Sequence, residues 1–319
     1  MFYTLCVALC LAVMFIVMAG AGLICSVCFW LFKPVLRQVP PRLAANLLFT
    51  IRALPLLLAI LVTFGFVLPS FLKFEPRSTS ELMGSPLLGL AILGTLALVV
   101  IASRGLRLIS ATMQVQQQWQ SAATRLRIPG IDVPVYQVDD AGILLAVSGM
   151  FRPKIYVGRQ VASTLTSAEL SAALIHEMAH VTSLDNLKQF MLRITRLYPQ
   201  ADVEWMNASE IAADEAALAR GASVLDLSSA LIKVGRLGHG VLAQDAIVAS
   251  HLLPASAGSS MEVRVTHLQK LLEGNCRPHR AVNHSYYGFC SLLLLSIAYA
   301  TCVNTILPWI HEVLEFLVR

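Results

Sequence analysis

The residues best suited to chemistry in this sequence form the pentapeptide HEMAH at positions 176–180. His176 and His180 are four positions apart, so on a helix both imidazole rings can face one metal ion. Glu177 lies one step round the helix, where its carboxylate can reach a metal-bound water. An exposed pair of helical histidines is the alternative interpretation of this short pattern. Because the surrounding run is apolar and rich in alanine and leucine, we predict a metal site.

A catalytic zinc ion needs three protein ligands and one open position. In the segment NASEIAADE at 207–215, Glu210 and Asp214 are four apart and share one helical face. We predict that Glu210 completes the ligand set of a single Zn²⁺ ion, and that Asp214 accepts a hydrogen bond from the free N–H of a ligand histidine. A solvated acidic face is the alternative for this pair. The neighbouring alanines and isoleucine disfavour it, because they predict a packed helix.

Hydrolysis of a peptide bond is the chemistry that this ligand set predicts. Glu177 would take the proton of a zinc-activated water and return it to the leaving amine. Such a reaction also needs a hydrogen-bond donor for the oxyanion. His239, His251 and His267 are candidates by residue type only, and ordinary surface histidines are the favoured interpretation. The segment 154–157 could bind substrate by strand addition, although a core strand of the domain is the favoured interpretation there.

Three helices must position the catalytic residues. Thr166 and Glu169 have the spacing of a capping box, which predicts the start of the helix that carries HEMAH. A second helix is expected after Asp185-Asn186, and a third, alanine-rich helix is expected to stop at Gly221. The predicted ranges are 170 to about 181 for the first helix, up to about 198 for the second and 203–219 for the third.

A small antiparallel sheet is predicted directly before the first of these helices. The segment 133–138 alternates and is rich in β-branched residues, which indicates a strand, and a turn follows at 139–142. A glutamine-rich segment, 114–127, has helical spacing and is expected to lead into the sheet. The remaining predictions are strands at 143–147 and 154–157, a helix at 226–248 interrupted by glycines, a flexible linker at 255–260 and a helix at 261–272.

The composition indicates a membrane protein. The 319 residues are 56% hydrophobic and 13% charged, with a mean hydropathy of +0.69, whereas globular chains carry about a quarter charged residues. Six of the seven cysteines lie in apolar stretches, where cysteine behaves as a small hydrophobe. No basic block or basic-aromatic interleaving suggests direct nucleic-acid binding. Transmembrane helices are predicted at 2–32, 54–71, 87–102 and 286–310.

We therefore predict a mainly α membrane protein of four transmembrane helices, with an α+β metallopeptidase domain inserted between the third and the fourth. The predicted domains are 1–110, 111–284 and 285–319. Basic residues are concentrated in the first loop and at both edges of the central domain, so the positive-inside rule places these parts in the cytoplasm and both termini outside. These residues are Lys33, Arg37, Arg42, Arg52, Arg104, Arg107, Arg277 and Arg280.

The ordered motifs resemble those of the BlaR/MecR-type membrane zinc metallopeptidases, the antirepressor peptidases. HEMAH followed by Asp185-Asn186, and then SEIAADEAAL at 209–218, is similar to the family's H-E-x-x-H, Asp-Asn and E-I-A-x-D-x-x-x-L motifs. Upstream, GMFRPKIYV at 149–157 resembles its Gly-x-x-x-Pro strand, and RVTHLQKLL at 264–272 resembles its closing helix. The order of spans and domain is similar as well, so the resemblance covers nearly the whole chain.

This resemblance implies a gluzincin domain and a zinc-dependent endopeptidase of the bacterial inner membrane that cleaves a cytoplasmic protein. In the β-lactam sensors of the family, a penicillin-binding domain follows the fourth span, and signalling destroys a DNA-binding repressor. Nine residues follow the predicted fourth span here, so we expect no such sensor domain. The trigger would then be a separate sensor protein or the membrane itself, and a small winged-helix repressor is a candidate substrate.

Two alternatives stay open. A quality-control protease of the HtpX type also combines H-E-x-x-H with a downstream glutamate and membrane helices. The Asp185-Asn186 step and the three spans before the motif favour the BlaR/MecR interpretation over it. The second alternative is a non-catalytic membrane transducer, in which the metal domain only binds a partner. Glu177 argues against that alternative, because a structural metal site needs no base.

Overall fold

The architecture is that of a computed structural model, which describes residues 2–76, 84–121, 123–139, 145–195, 199–238 and 257–273, together with 299, 303 and 305–315. The chain divides into two compact units. The apolar unit comprises Met1–Lys33, Thr50–Ser103 and Val282–Arg319. The second, which we call the α+β unit, comprises Pro34–Phe49 and Arg104–Ala281.

Three helical stretches among the described residues are long and apolar enough to cross a bilayer, which takes about 20 residues. The fourth predicted span, 286–310, lies largely outside the described residues, although 305–315 are helical. The first stretch is α1 (Phe2–Leu36). The second combines α2 (Pro41–Val62), one turn of π-helix (Thr63–Val67) and α3 (Leu68–Phe74), and the third is α4 (Ser85–Ser121).

Packing within the apolar unit relies on close helix contacts and on a few buried hydrogen bonds. Gly94 of α4 faces the Leu11 carbonyl of α1 so closely that a Cβ atom would collide with it. The hydroxyl of Ser70 donates to the Leu307 carbonyl at 2.9 Å. Small residues and internally satisfied polar groups are what helices need in lipid, where water offers no competing partner.

The α+β unit contains a four-stranded sheet in the order β1-β2-β4-β3. β1 pairs with β2 and β3 pairs with β4 in antiparallel fashion, whereas β2 and β4 run parallel. The prediction of an antiparallel sheet was therefore wrong in part. β4 lies between β3 and β2, and its pairing with β2 is parallel. The strands are β1 (Ala123–Leu126), β2 (Val135–Val138), β3 (Leu145–Ser148) and β4 (Lys154–Gly158).

Two predicted segments differ from the structure. Helical spacing suggested one helix over 114–127, but α4 ends at Ser121 and β1 begins at Ala123. Pairing with β2 explains the difference, since backbone hydrogen bonds to a neighbouring strand outweigh the weak helix preference of a four-residue segment. The linker predicted at 255–260 is helical from Ala257 onwards, as the first turn of α10.

Six helices complete the described part of the α+β unit. The predicted capping box of α6 is present: the Glu169 N–H donates to the Thr166 hydroxyl, and the Thr166 N–H donates to the Glu169 carboxylate at 2.8 Å. The core lies between one face of the sheet and α6, α8, α9 and α10. The helices are α5 (Arg159–Thr164), α6 (Ser167–Thr182), α7 (Asp185–Thr195), α8 (Pro199–Ala219), α9 (Val224–Gly238) and α10 (Ala257–Leu272).

Candidate metal centre

Helix α6 presents the HEMAH residues to the interior of the α+β unit. His176, Glu177 and His180 are each at most 1% exposed. Because the two histidines are separated by one helical turn, their rings lie close together, with 3.2 Å between the Nε2 atoms. Two buried imidazole nitrogens so close to each other are arranged as they would be around a shared cation.

Helix α8 packs across α6 and supplies a carboxylate at the same point. The oxygens of Glu210 lie 3.5 Å from His176 Nε2 and 3.7 Å from His180 Nε2. One ligand atom from each of these three residues lies within 4.8 Å of the others. Buried small residues of α8, Ala213 and Ala217, allow the two helix backbones to approach closely. The structure thus brings together the three side chains predicted as ligands.

An aspartate lies beside the far nitrogen of each histidine. Asp214 Oδ1 is 2.8 Å from His176 Nδ1, the contact that the Glu210/Asp214 spacing suggested. Asp185 Oδ2 is 2.9 Å from His180 Nδ1, and these two atoms form a hydrogen bond. The Nδ1 of His180 is hydrogen-bonded to a carboxylate, and Asp214 lies close to His176 Nδ1 without hydrogen-bond alignment, so the Nε2 of each ring is left to face a metal. Sequence reasoning used Asp185 only as part of a motif and missed this contact.

Arg264 of α10 is the second residue that sequence reasoning missed. Its side chain is 3% exposed, and its Nε and Nη2 donate to the two oxygens of Asp214 at 2.8 and 2.7 Å. Nη1 lies 2.9 Å from Glu210 Oε2. The only signal in the sequence was the resemblance of the 264–272 helix to a family motif, since nothing local connects Arg264 with a residue 50 positions away.

The pKa values of the cluster follow from these contacts. Burial alone would raise the pKa of Asp214 and of Glu210, but the Arg264 guanidinium and the neighbouring histidines hold both below their usual values. Burial lowers the pKa of His176, yet the Asp214 carboxylate outweighs it and raises that pKa to about 9. Both carboxylates are therefore anionic at neutral pH, the form in which they can bind or orient a cation.

Glu177 differs from the other carboxylates. Burial raises its pKa, although His176 and His180 oppose the shift. Among the described residues, neither of its carboxylate oxygens has a hydrogen-bond partner. A fully buried, unsatisfied carboxylate is costly to maintain in a folded protein. Its position beside the ligand cluster and its raised pKa suit a group that takes up a proton and later releases it.

Among the described strands, β1 and β3 lie at the two edges of the sheet, and all four residues of β3 are buried. The favoured interpretation of 154–157, a core strand of the domain, is confirmed, and the alternative of a substrate-binding strand was wrong, because β4 is paired on both sides. The Ile155 N–H donates to the Pro134 carbonyl at 3.0 Å, so the backbone of Ile155 faces away from β3. Val147 of β3 pairs with Ile155, and in such a pair both backbones face outwards, so the N–H and C=O of Val147 point away from β4. The Asn186 amide donates to the Gly149 carbonyl at 3.1 Å and to the Val147 carbonyl at 3.4 Å.

Of the three histidines named as candidate oxyanion donors, the structure describes only His267. His267 Nε2 lies 3.1 Å from Glu215 Oε1, which links α10 to α8. His239 and His251 lie outside the described residues.

Comparison with known proteins agrees with this geometry. Residues 110–238 match the model of peptidase family M48, a range that runs from the end of α4 through α9 and stops before α10. No curated protein matches significantly. The match indicates a metallopeptidase and does not single out the BlaR/MecR type. A peptidase M48 domain, a possible His/His/Glu metal site and three apolar helices together support a membrane-type zinc metallopeptidase.

Proposed function

We propose that this chain is an integral-membrane zinc endopeptidase of the gluzincin type, with His176, His180 and Glu210 as the metal ligands. The observation that carries the proposal is the convergence of these three side chains at one buried point, beside the unsatisfied carboxylate of Glu177. A structural zinc site would be closed by a fourth protein ligand, whereas three ligands next to a free carboxylate are typical of a hydrolytic site.

The donor set fits zinc. Two imidazoles and one carboxylate are among the preferred ligands of this ion, which would displace the extra proton of His176 on binding, and an aspartate lies beside the Nδ1 of each ring. When bound, zinc would lower the pKa of a water molecule towards neutrality and polarise the scissile carbonyl. The buried Arg264 keeps the Glu210 carboxylate in place and anionic before any metal arrives.

Glu177 is the proposed base. Among the described residues its oxygens have no other hydrogen-bond partner, and its raised pKa makes it a stronger base for the proton of the attacking water, which it would then pass to the leaving amine. Asp214 and Asp185 take no proton in this scheme. They hold the histidine rings so that each Nε2 faces the reacting centre.

The proposed location is the bacterial inner membrane, with the α+β unit in the cytoplasm. The support is the distribution of basic residues in the first loop and around the central domain, together with the three apolar helices. The substrate would then be a cytoplasmic protein. No direct contact with nucleic acid is proposed.

Two substrate classes follow from the two resemblances. The Asp185-Asn186 step supports the BlaR/MecR interpretation, in which the substrate is a winged-helix repressor and the protease acts in signal transduction, with a separate sensor protein as the trigger. The match to family M48, rather than to BlaR/MecR, favours the second candidate, a quality-control protease with many membrane-protein substrates. Proteomic comparison of cells with active and inactive enzyme separates them: one stabilised repressor supports the first and many stabilised membrane proteins support the second.

The decisive experiment replaces Glu177 with glutamine in the full chain. We expect Glu177→Gln to bind zinc as the parent does and to lose proteolysis, because glutamine keeps the volume but cannot accept the proton. Glu262→Gln, at an exposed position of α10, is the matched control and should cleave normally. Glu210→Ala should lower the zinc stoichiometry. Unchanged cleavage in Glu177→Gln would refute Glu177 as the base, and signalling that persists unchanged in this variant would favour the non-catalytic transducer.

A further inference from the structure

The segment Pro34–Phe49, which runs from the last turn of α1 into the first turns of α2, belongs to the α+β unit. Two polar contacts attach it there. Lys188 Nζ of α7 donates to Asn46 Oδ1 at 3.1 Å, and Arg37 Nη2 donates to Glu204 Oε1 of α8 at 2.9 Å. α7 carries the aspartate that orients one histidine, and α8 carries the third candidate ligand.

The first of these contacts continues to the candidate metal centre. Lys188 Nζ lies 3.6 Å from Asp185 Oδ1, one turn back on the same helix. The other oxygen of Asp185 is the acceptor for His180 Nδ1 at 2.9 Å. A continuous path therefore runs from Asn46 through Lys188 and Asp185 to His180, and it joins positions 142 residues apart.

Burial makes this path energetically relevant. Asp185 is 1% exposed, and the Lys188 side chain is 17% exposed, so solvent screens their attraction poorly. A lysine side chain is long and flexible, and its position must be fixed by its surroundings. Asn46 and the ring of Phe49, whose centroid is 5.8 Å from Nζ, supply those surroundings. The Arg37–Glu204 pair is more exposed, and such pairs contribute little.

We propose that Lys188 and Asn46 are positioning residues for the metal ligand His180. Lys188 holds one oxygen of Asp185, so the other oxygen points at His180 and fixes the ring with Nε2 towards the metal. Asn46 holds Lys188 in the place where it can do this. The segment Pro34–Phe49 thereby tunes the metal affinity of the α+β unit. The inference rests on the proposed function, because it takes His180 as a ligand.

The test measures zinc affinity of the full chain in detergent micelles, by competition with a chromophoric chelator, and the absorption spectrum of the Co²⁺-substituted protein. Removing the group that supports a metal ligand typically weakens metal binding 10–100-fold. Lys188 contacts the supporting aspartate and not the ligand itself, so we expect Lys188→Met to weaken zinc binding by about tenfold and Asn46→Ala by about threefold. The absorption bands of the Co²⁺-substituted protein should shift in both variants. Lys188→Arg keeps the charge and should retain most of the affinity. Lys270→Met, at an exposed position of α10, is the control and should bind as the parent does.

The double variant Lys188→Met/Asn46→Ala gives the sharpest result. If Asn46 acts through Lys188, the double variant binds zinc no more weakly than Lys188→Met alone. Additive losses, or zinc affinity within twofold of the parent in Lys188→Met, would overturn the inference while leaving the proposed function intact. A parent protein that binds no zinc would overturn the proposed function itself. Asn46 is exposed, so Asn46→Ala should fold, and its zinc affinity tests the inference even if Lys188→Met does not fold.

Discussion

Replacing Arg264 with methionine should destabilise the α+β unit more than any substitution of an exposed residue. Arg264 lies 2.9 Å from Glu210 and 2.7 Å from Asp214, and all three side chains are at most 3% exposed. At an effective dielectric constant of 20, each of these contacts corresponds to about 6 kcal/mol of attraction. Burying the guanidinium costs several kcal/mol in return, so we expect a net loss of about 3–5 kcal/mol, the range seen when one partner of a buried ion pair is removed.

The assay is denaturant unfolding of the zinc-free full chain in micelles, followed by tryptophan fluorescence, since Trp205 of α8 is 1% exposed and reports on this helix. A loss of this size is a large part of the 5–15 kcal/mol that stabilises a typical domain. Adding zinc should recover part of the loss, because the ion replaces the missing positive charge beside Glu210.

A double variant tests the cause of the loss. Asp214→Asn removes one of the two carboxylates that Arg264 neutralises, so Arg264→Met should cost less in that background by about 1–3 kcal/mol. Strictly additive costs, or a cost below 1 kcal/mol for Arg264→Met alone, would refute the view that this arginine compensates the charge of the ligand cluster.

Three further predictions follow from particular contacts. The pKa of Glu169 is lowered to about 2, chiefly by Lys233, with Ser229 and the Thr166 backbone assisting. This stabilisation is therefore present above pH 4.5 and is lost as the pH falls towards 2, so the difference in Tm between the parent and Glu169→Gln should shrink between pH 6 and pH 3; a constant difference would contradict this. Gly149→Ala should cost about 1–3 kcal/mol in unfolding free energy, because φ is +106° and a Cβ would meet the Arg152 carbonyl. Gly130→Ala, at φ +81° in open space, is its control and should cost less, and equal costs would show that the close contact is unimportant. Finally, truncation after Gly238, the end of the M48 match, removes Arg264 and should lower zinc affinity at least tenfold relative to truncation after Glu273, as equilibrium dialysis would show; equal affinities would contradict a role for α10.

The features that sequence reasoning located are local ones. The capping box at Thr166 and Glu169 and the four-residue spacings of His176/His180 and Glu210/Asp214 each lie within one helix, where spacing in sequence determines spacing in space. That α8 would cross α6 at Glu210 was a hypothesis about packing, based on the distance along the chain from His180, and the structure brings the two together.

What the sequence could not provide depends on pairing between distant segments. The place of β4 at the centre of the sheet follows from its parallel pairing with β2, which no local pattern encodes. β1 was mistaken for the end of a helix for the same reason, since only β2 makes it a strand. Arg264 and Asn46 are 50 and 142 residues from the groups they contact, and their own neighbourhoods give no indication of a partner.

Whether a short metal-binding motif is catalytic can be judged from the groups that surround it. The three proposed ligands come from two helices, but the groups that set their charge and orientation come from four segments: Asp185 on α7, Asp214 on α8, Arg264 on α10 and Asn46 in the segment before Phe49. A short motif can be copied by chance, whereas a buried arginine bridging two carboxylates is costly unless both are needed as anions. The groups around the motif, more than the motif itself, therefore support hydrolysis here.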